Sequence, residues 1–84
     1  MSETDYSKLR SLTARKIISA LIKDGFYLDR QSGSHYQFFH PSKGRVTISF
    51  HHPSDTFPLK TLKGIIEDAG WTEEDLKRLN LLKG

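Results

Sequence analysis

Between Phe26 and His51 the chain alternates apolar and polar residues in three short runs, each bounded by a turn signal. Phe26 and Leu28 alternate with Tyr27, Asp29 and Gln31. Tyr36 and Phe38 alternate with His35, Gln37 and Phe39. Val46, Ile48 and Phe50 alternate with Arg45, Thr47, Ser49 and His51. A period of two sends successive side chains to opposite faces of an extended strand, so each run has one apolar and one polar side. The connectors Ser32-Gly33-Ser34 and Pro41-Ser42-Lys43-Gly44 are of hairpin length and carry the residues that tight turns need. This pattern predicts a three-stranded antiparallel meander with one face in the core and the other in water.

Helical segments on either side of the meander can cover the apolar face. Thr13 is placed to cap a helix over Ala14 to Asp24, with Ile17, Ile18, Leu21 and Ile22 on its apolar side and Gly25 as its stop. A second helix follows Pro58, with Leu59, Leu62, Ile65, Ile66 and Ala69 inward and Gly70 beyond its end. Gly64 inside that helix costs about 1 kcal/mol relative to alanine, which predicts close packing against a neighbour. Thr72-Glu73-Glu74-Asp75 reads as a capping box with aspartate in the third helical position, opening a short helix with Leu76 and Leu79. The order is helix, three-stranded antiparallel sheet, helix, short C-terminal helix. This α+β arrangement matches the topology of double-stranded-RNA-binding domains. Residues 1–84 are expected to form a single domain with its core at about 12–80, because no repeat, linker or low-complexity tract interrupts them.

Composition closes off several classes of function. No cysteine is present, which excludes disulfides and thiolate metal sites. The polar segment MSETDYSKLR lacks an apolar signal, and no apolar run has the length to span a bilayer, so a soluble cytoplasmic protein is expected. Thirteen Lys and Arg against ten Asp and Glu leave a formal charge of +3. The bases lie through the body of the chain, whereas Glu67, Asp68, Glu73, Glu74 and Asp75 gather late. That distribution suits a polyanionic partner over most of the domain, although a solvated surface has the same composition.

The histidines are the residues that packing does not explain. A three-residue loop at Ser32-Gly33-Ser34 would set Gln31 opposite His35, Asp29 opposite Gln37 and Tyr27 opposite Phe39. With Phe38 and Ile48 inward, His35 pairs either with His51 or with Ser49, the latter leaving His51 on the diagonal. Both registers make His35 and His51 neighbours on the open face, about 5 Å or about 7–8 Å apart at Cβ. His40 has the opposite parity and is expected on the helix side, while His52 begins a loop. A metal site from His51 and His52 is not expected, since adjacent strand positions diverge and no third ligand has convincing spacing.

Two imidazoles on an exposed face beside Lys43 and Arg45 suit RNA cleavage without a metal or other cofactor. One ring takes the proton from a ribose 2′-hydroxyl as it attacks the adjacent phosphate, another group protonates the leaving 5′-oxygen, and a cation steadies the phosphorane. An ordinary imidazole pKa of about 6.5 suits both transfers, each worth roughly 10²–10⁴ in rate. Surface histidines are also common as polar filler, and the Tyr27–Phe39 pair is explained by cross-strand packing as well as by base stacking.

From Leu12 to Leu79 the residues form an ordered series. It comprises Thr13-Ala14-Arg15-Lys16-Ile17-Ile18, Asp24-Gly25-Phe26 and Arg30-Gln31-Ser32-Gly33-Ser34-His35. It continues with Val46-Thr47-Ile48, a histidine closing that run, Thr61-Leu62, and Ile65-Ile66-Glu67-Asp68-Ala69-Gly70. In order and spacing the series resembles the HicA (YcfA-like) toxins of bacterial toxin–antitoxin pairs, which are small mRNA interferases. The resemblance implies a double-stranded-RNA-binding-like fold, endoribonuclease activity on mRNA, a catalytic histidine in the Gly-Ser-His motif and a HicB-type antitoxin that covers the active face. The motif histidine corresponds to His35. His51 is the second candidate, as acid or phosphate contact. Lys43 and Arg45 are candidate phosphate ligands, and Gly33 with Ser34 would shape the turn that aims His35 at the RNA. The alternatives are a non-catalytic RNA-binding module of the same fold and a domain whose polar face docks an acidic protein.

Overall fold

The computed structural model describes Leu9 and residues 11–82. Its elements are α1 (Ala14–Lys23), β1 (Tyr27–Ser32), β2 (His35–His40), β3 (Gly44–Ser49), α2 (Leu59–Ala69) and α3 (Glu73–Arg78). The strands form one antiparallel sheet in the order β1-β2-β3. The expected α+β architecture, double-stranded-RNA-binding-like, is therefore the one observed.

Phe38, Val46 and Ile48 are buried on the inner face of the sheet, and Phe50 stacks on the half-buried Tyr36 with ring centroids 4.3 Å apart. The helices meet them with Ile17, Leu21, Leu62, Ile65 and Ile66. Two residues expected in this core lie outside it. Ile22 is 59 % exposed, one helical step beyond the buried Leu21, and Ala14 and Ala20 complete the stripe on α1 instead. Leu28 is 47 % exposed although it pairs with the buried Phe38. Every residue of β1 is exposed, so core burial is concentrated on the other two strands and β1 is an uncovered edge.

The start of α1 is closed by its own cap residue and by carbonyls distant in sequence. Thr13 Oγ1 accepts from Lys16 N, while Ala14 N and Arg15 N donate to the carbonyls of Asp55 and Pro53. The loop after β3 thus satisfies amides that a free helix start would leave to water. Asp24 caps the other end, and Gly25 follows with φ +101°. A Cβ at Gly25 would lie 3.0 Å from Nε2 of His40, whose ring packs on Phe26 with centroids 5.0 Å apart. His40 does face the helices, as its parity requires. Its Nδ1 accepts from the amides of Ser42 and Lys43 at 3.0 and 3.2 Å, which makes it the organiser of the β2–β3 turn.

The capping box at Thr72 is formed in both directions, Asp75 N donating to Thr72 Oγ1 and Thr72 N to Asp75 Oδ2. Gly64 departs from expectation: a Cβ there would meet nothing within 4 Å, so no close helix contact requires the glycine.

Candidate active site on the open sheet face

The turn before His35 is tighter than the sequence pattern suggests. Ser32 pairs directly with His35, leaving Gly33-Ser34 as a two-residue loop. Gly33 has φ +59° and Ser34 is not among the positive-φ residues, the pattern of a type II′ hairpin turn, where glycine takes the first loop position. Gln31 then faces Tyr36, and Arg30 rather than Asp29 faces Gln37. Phase is restored by a β-bulge at Asp29, beyond which Leu28 pairs with Phe38 and Tyr27 with Phe39. An extra residue in one strand reverses parity on one side of it. The expected pairs Gln31–His35 and Asp29–Gln37 are thereby replaced, and only Tyr27–Phe39 stands.

Between β2 and β3 the register is the second of the two expected, with His35 opposite Ser49. Phe50 N still donates to Ser34 O at 3.0 Å, but β3 ends at Ser49 and does not reach His51. Asp55 is the cause, because its Oδ2 accepts from the amides of His51 and His52 at 3.0 and 3.1 Å. Those bonds turn the chain out of the ladder. The amides of His52 and His51 hold the Asp55 carboxyl below its ordinary pKa.

The site residues divide by position. The His35 ring is exposed at the start of β2, beside the Gly33–Ser34 turn. His51 is exposed in the loop leaving the same end of the sheet, and among the described residues the two rings share neither a hydrogen bond nor a ring contact. Arg45 occupies the open face opposite Phe39, bonded through its guanidinium to Asp29 at 2.8 Å and Gln37 at 2.9 Å, its charge 5.6 Å from the Phe39 ring centre. Lys43 is not brought to His35. It lies in the turn at the opposite end of β2, about 17 Å away along the strand at the usual rise, with its ammonium on Asp24. Among the described residues no group of three or more His, Asp or Glu side chains could hold a metal ion.

The open face also holds a residue that period-two reading assigns to the other side. The two-residue turn brings Arg30 opposite Gln37, on the face of His35 and diagonal to it, while Ser32 sits directly opposite His35. Nothing in the local sequence announces the extra residue; an Asp in the middle of a strand, where it is disfavoured, is the nearest signal.

A helix-covered meander with a polar open face, and a histidine presented at its edge, defines a small α+β domain of the double-stranded-RNA-binding type. The family model for the HicA toxin of bacterial toxin–antitoxin systems matches residues 14–71 of the 84. The chain belongs to this family, and its role is that of a toxin. The match spans α1, the whole sheet, α2 and the start of the segment leading to α3, and so includes His35 and the turn before it. No curated protein matches the chain.

Proposed function

We propose that the protein is a metal-independent endoribonuclease acting on mRNA in the cytoplasm, with His35 as its principal proton-transfer residue and a HicB-type antitoxin as its partner. The observation that carries this reading is the exposed His35 ring at the rim of the open face, free of hydrogen bonds among the described residues and presented by a two-residue turn. A ring with no structural bond to keep is available to substrate at both nitrogens.

His35 removes the proton from a ribose 2′-hydroxyl as that oxygen bonds to the adjacent phosphorus. The bond from phosphorus to the 5′-oxygen breaks as that oxygen gains a proton, leaving a 2′,3′-cyclic phosphate and a 5′-hydroxyl. His51 is the candidate donor of the second proton, approaching from the loop at the same end of the sheet. Gly33 and Ser34 set the position of His35, and Arg45, paired with Asp29, lines the face further along. DNA, which has no 2′-hydroxyl, is not a substrate for this chemistry.

Cleavage of purified RNA by the wild-type chain and by His35→Ala tests the reading. Loss of about 10³-fold or more in rate, with cyclic-phosphate ends on the wild-type products, is the expected result. Equal cleavage by both proteins removes the assignment, and RNA binding without cleavage by the wild type leaves a non-catalytic binding module.

A further inference from the structure

A nuclease of this kind needs a cation at the scissile phosphate, and the two suggested by sequence spacing are both neutralised within the fold. Lys43 is held by Asp24, and Arg45 by Asp29. Arg30 is different. No described carboxylate pairs with it, it is exposed, and it stands on the open face diagonal to His35. Diagonal neighbours across an antiparallel pair are about 7–8 Å apart, within reach of a long side chain.

The two-residue turn sets Arg30 on this face, and the bulge at Asp29 reconciles that register with the rest of β1. Were β1 regular beyond the Gly33–Ser34 turn, Arg30 would remain opposite Gln37, but Asp29 would fall opposite the buried Phe38 and Leu28 opposite Phe39 on the open face. The extra residue absorbs that mismatch. It also leaves the Asp29 carboxylate bonded to Arg45 rather than to Arg30. One irregularity therefore keeps the core side of β1 in phase, satisfies the distant arginine and leaves the near one unpaired among the described residues.

We propose that Arg30 is the phosphate-binding residue of the His35 site, gripping the non-bridging oxygens of the phosphate whose neighbouring 2′-hydroxyl His35 deprotonates. The assignment rests on the nuclease reading above and deepens it. A guanidinium presents a planar fork of donors that matches two phosphate oxygens at once, and its attraction strengthens as negative charge develops on the phosphorane. Ser32, directly opposite His35, leaves room on this side of the turn for the ribose–phosphate chain to approach both residues.

The test compares wild type, Arg30→Gln, Arg30→Lys and Lys77→Gln, the last removing an equal charge from α3 where Lys77 pairs with Glu73. Binding is measured with a 2′-O-methyl copy of an RNA that the wild type cuts, and cleavage with the RNA itself. Arg30→Gln is expected to weaken binding about tenfold and to lower the salt dependence of log K by about 0.7. Its kcat should fall by about 10²-fold, more than its KM rises, because the contact tightens in the transition state. Arg30→Lys should keep the salt slope and recover only part of kcat, since an ammonium lacks the fork. Wild-type behaviour of Arg30→Gln, or an equal loss in Lys77→Gln, overturns the assignment while leaving His35 catalysis intact. A wild-type chain that neither binds nor cuts RNA overturns the nuclease reading and this residue's role with it.

Discussion

The carboxylate of Asp24, with its side chain only 8 % exposed, accepts from Lys43 Nζ, Trp71 Nε1 and Arg78 NH2. Burial pushes its pKa up, but the hydrogen bonds from Lys43, Trp71 and Arg78 outweigh that and hold it down to about 2, against an ordinary 3.8. A depressed folded-state pKa stabilises the fold fully above the unfolded value and loses that contribution as pH falls toward the folded one. Asp24 should therefore contribute about 2 kcal/mol at neutral pH, lost progressively between about pH 5 and pH 2. Urea midpoints measured across that range should decline steeply for wild type and more shallowly for Asp24→Asn, which starts from a lower plateau. Parallel declines would show that other carboxyls carry the acid sensitivity. In sequence Asp24 reads only as the end of a helix; its partners lie 19, 47 and 54 residues away, so only folding identifies its role.

At the scale of elements, α2 contains a replaceable residue. Gly64 has open space where a Cβ would sit and lies within a regular helix, so Gly64→Ala should stabilise the protein by up to about 1 kcal/mol. Differential scanning calorimetry should show a Tm gain of about 4–8 °C, and a fall in Tm would mean the glycine has a contact after all. The capping box of α3 predicts the opposite sign: Thr72→Ala should cost about 1 kcal/mol by urea titration. Both helices were legible in their apolar spacing and cap residues, because those signals are local. The length of β1 was legible too, but its register was not. A two-residue turn and a compensating bulge leave the same apolar alternation at Tyr27 and Leu28 as the three-residue loop that spacing suggests. The choice between them depends on pairing with β2, and it decides that Arg30 joins His35.

At the scale of the molecule, one core among the described residues is shared by α1, α2, α3 and the sheet. Trp71, the sole tryptophan, sits at 6 % exposure between α2 and α3 and is tied to the end of α1 through Asp24. Its fluorescence therefore reports on the junction of all three helices, whereas far-ultraviolet circular dichroism reports on the backbone everywhere. A single cooperative unit predicts coincident urea transitions by the two probes. A fluorescence midpoint well below the circular dichroism midpoint would show that α3 and its ties to Asp24 separate before the sheet melts. No helix of the described residues is long and apolar enough to cross a membrane.

The amino-acid sequence alone determined the number and order of elements, the open face of the sheet, the outward direction of His35 and the inward one of His40. Each follows from periodicity and end signals that act within one element. Tertiary structure decided what those rules cannot reach. It bulged β1 at Asp29, stopped β3 before His51 through the Asp55 carboxylate, and drew Lys43 away to Asp24. These outcomes depend on hydrogen bonds and charges between segments far apart in the chain, whose geometry exists only once the sheet and helices have packed.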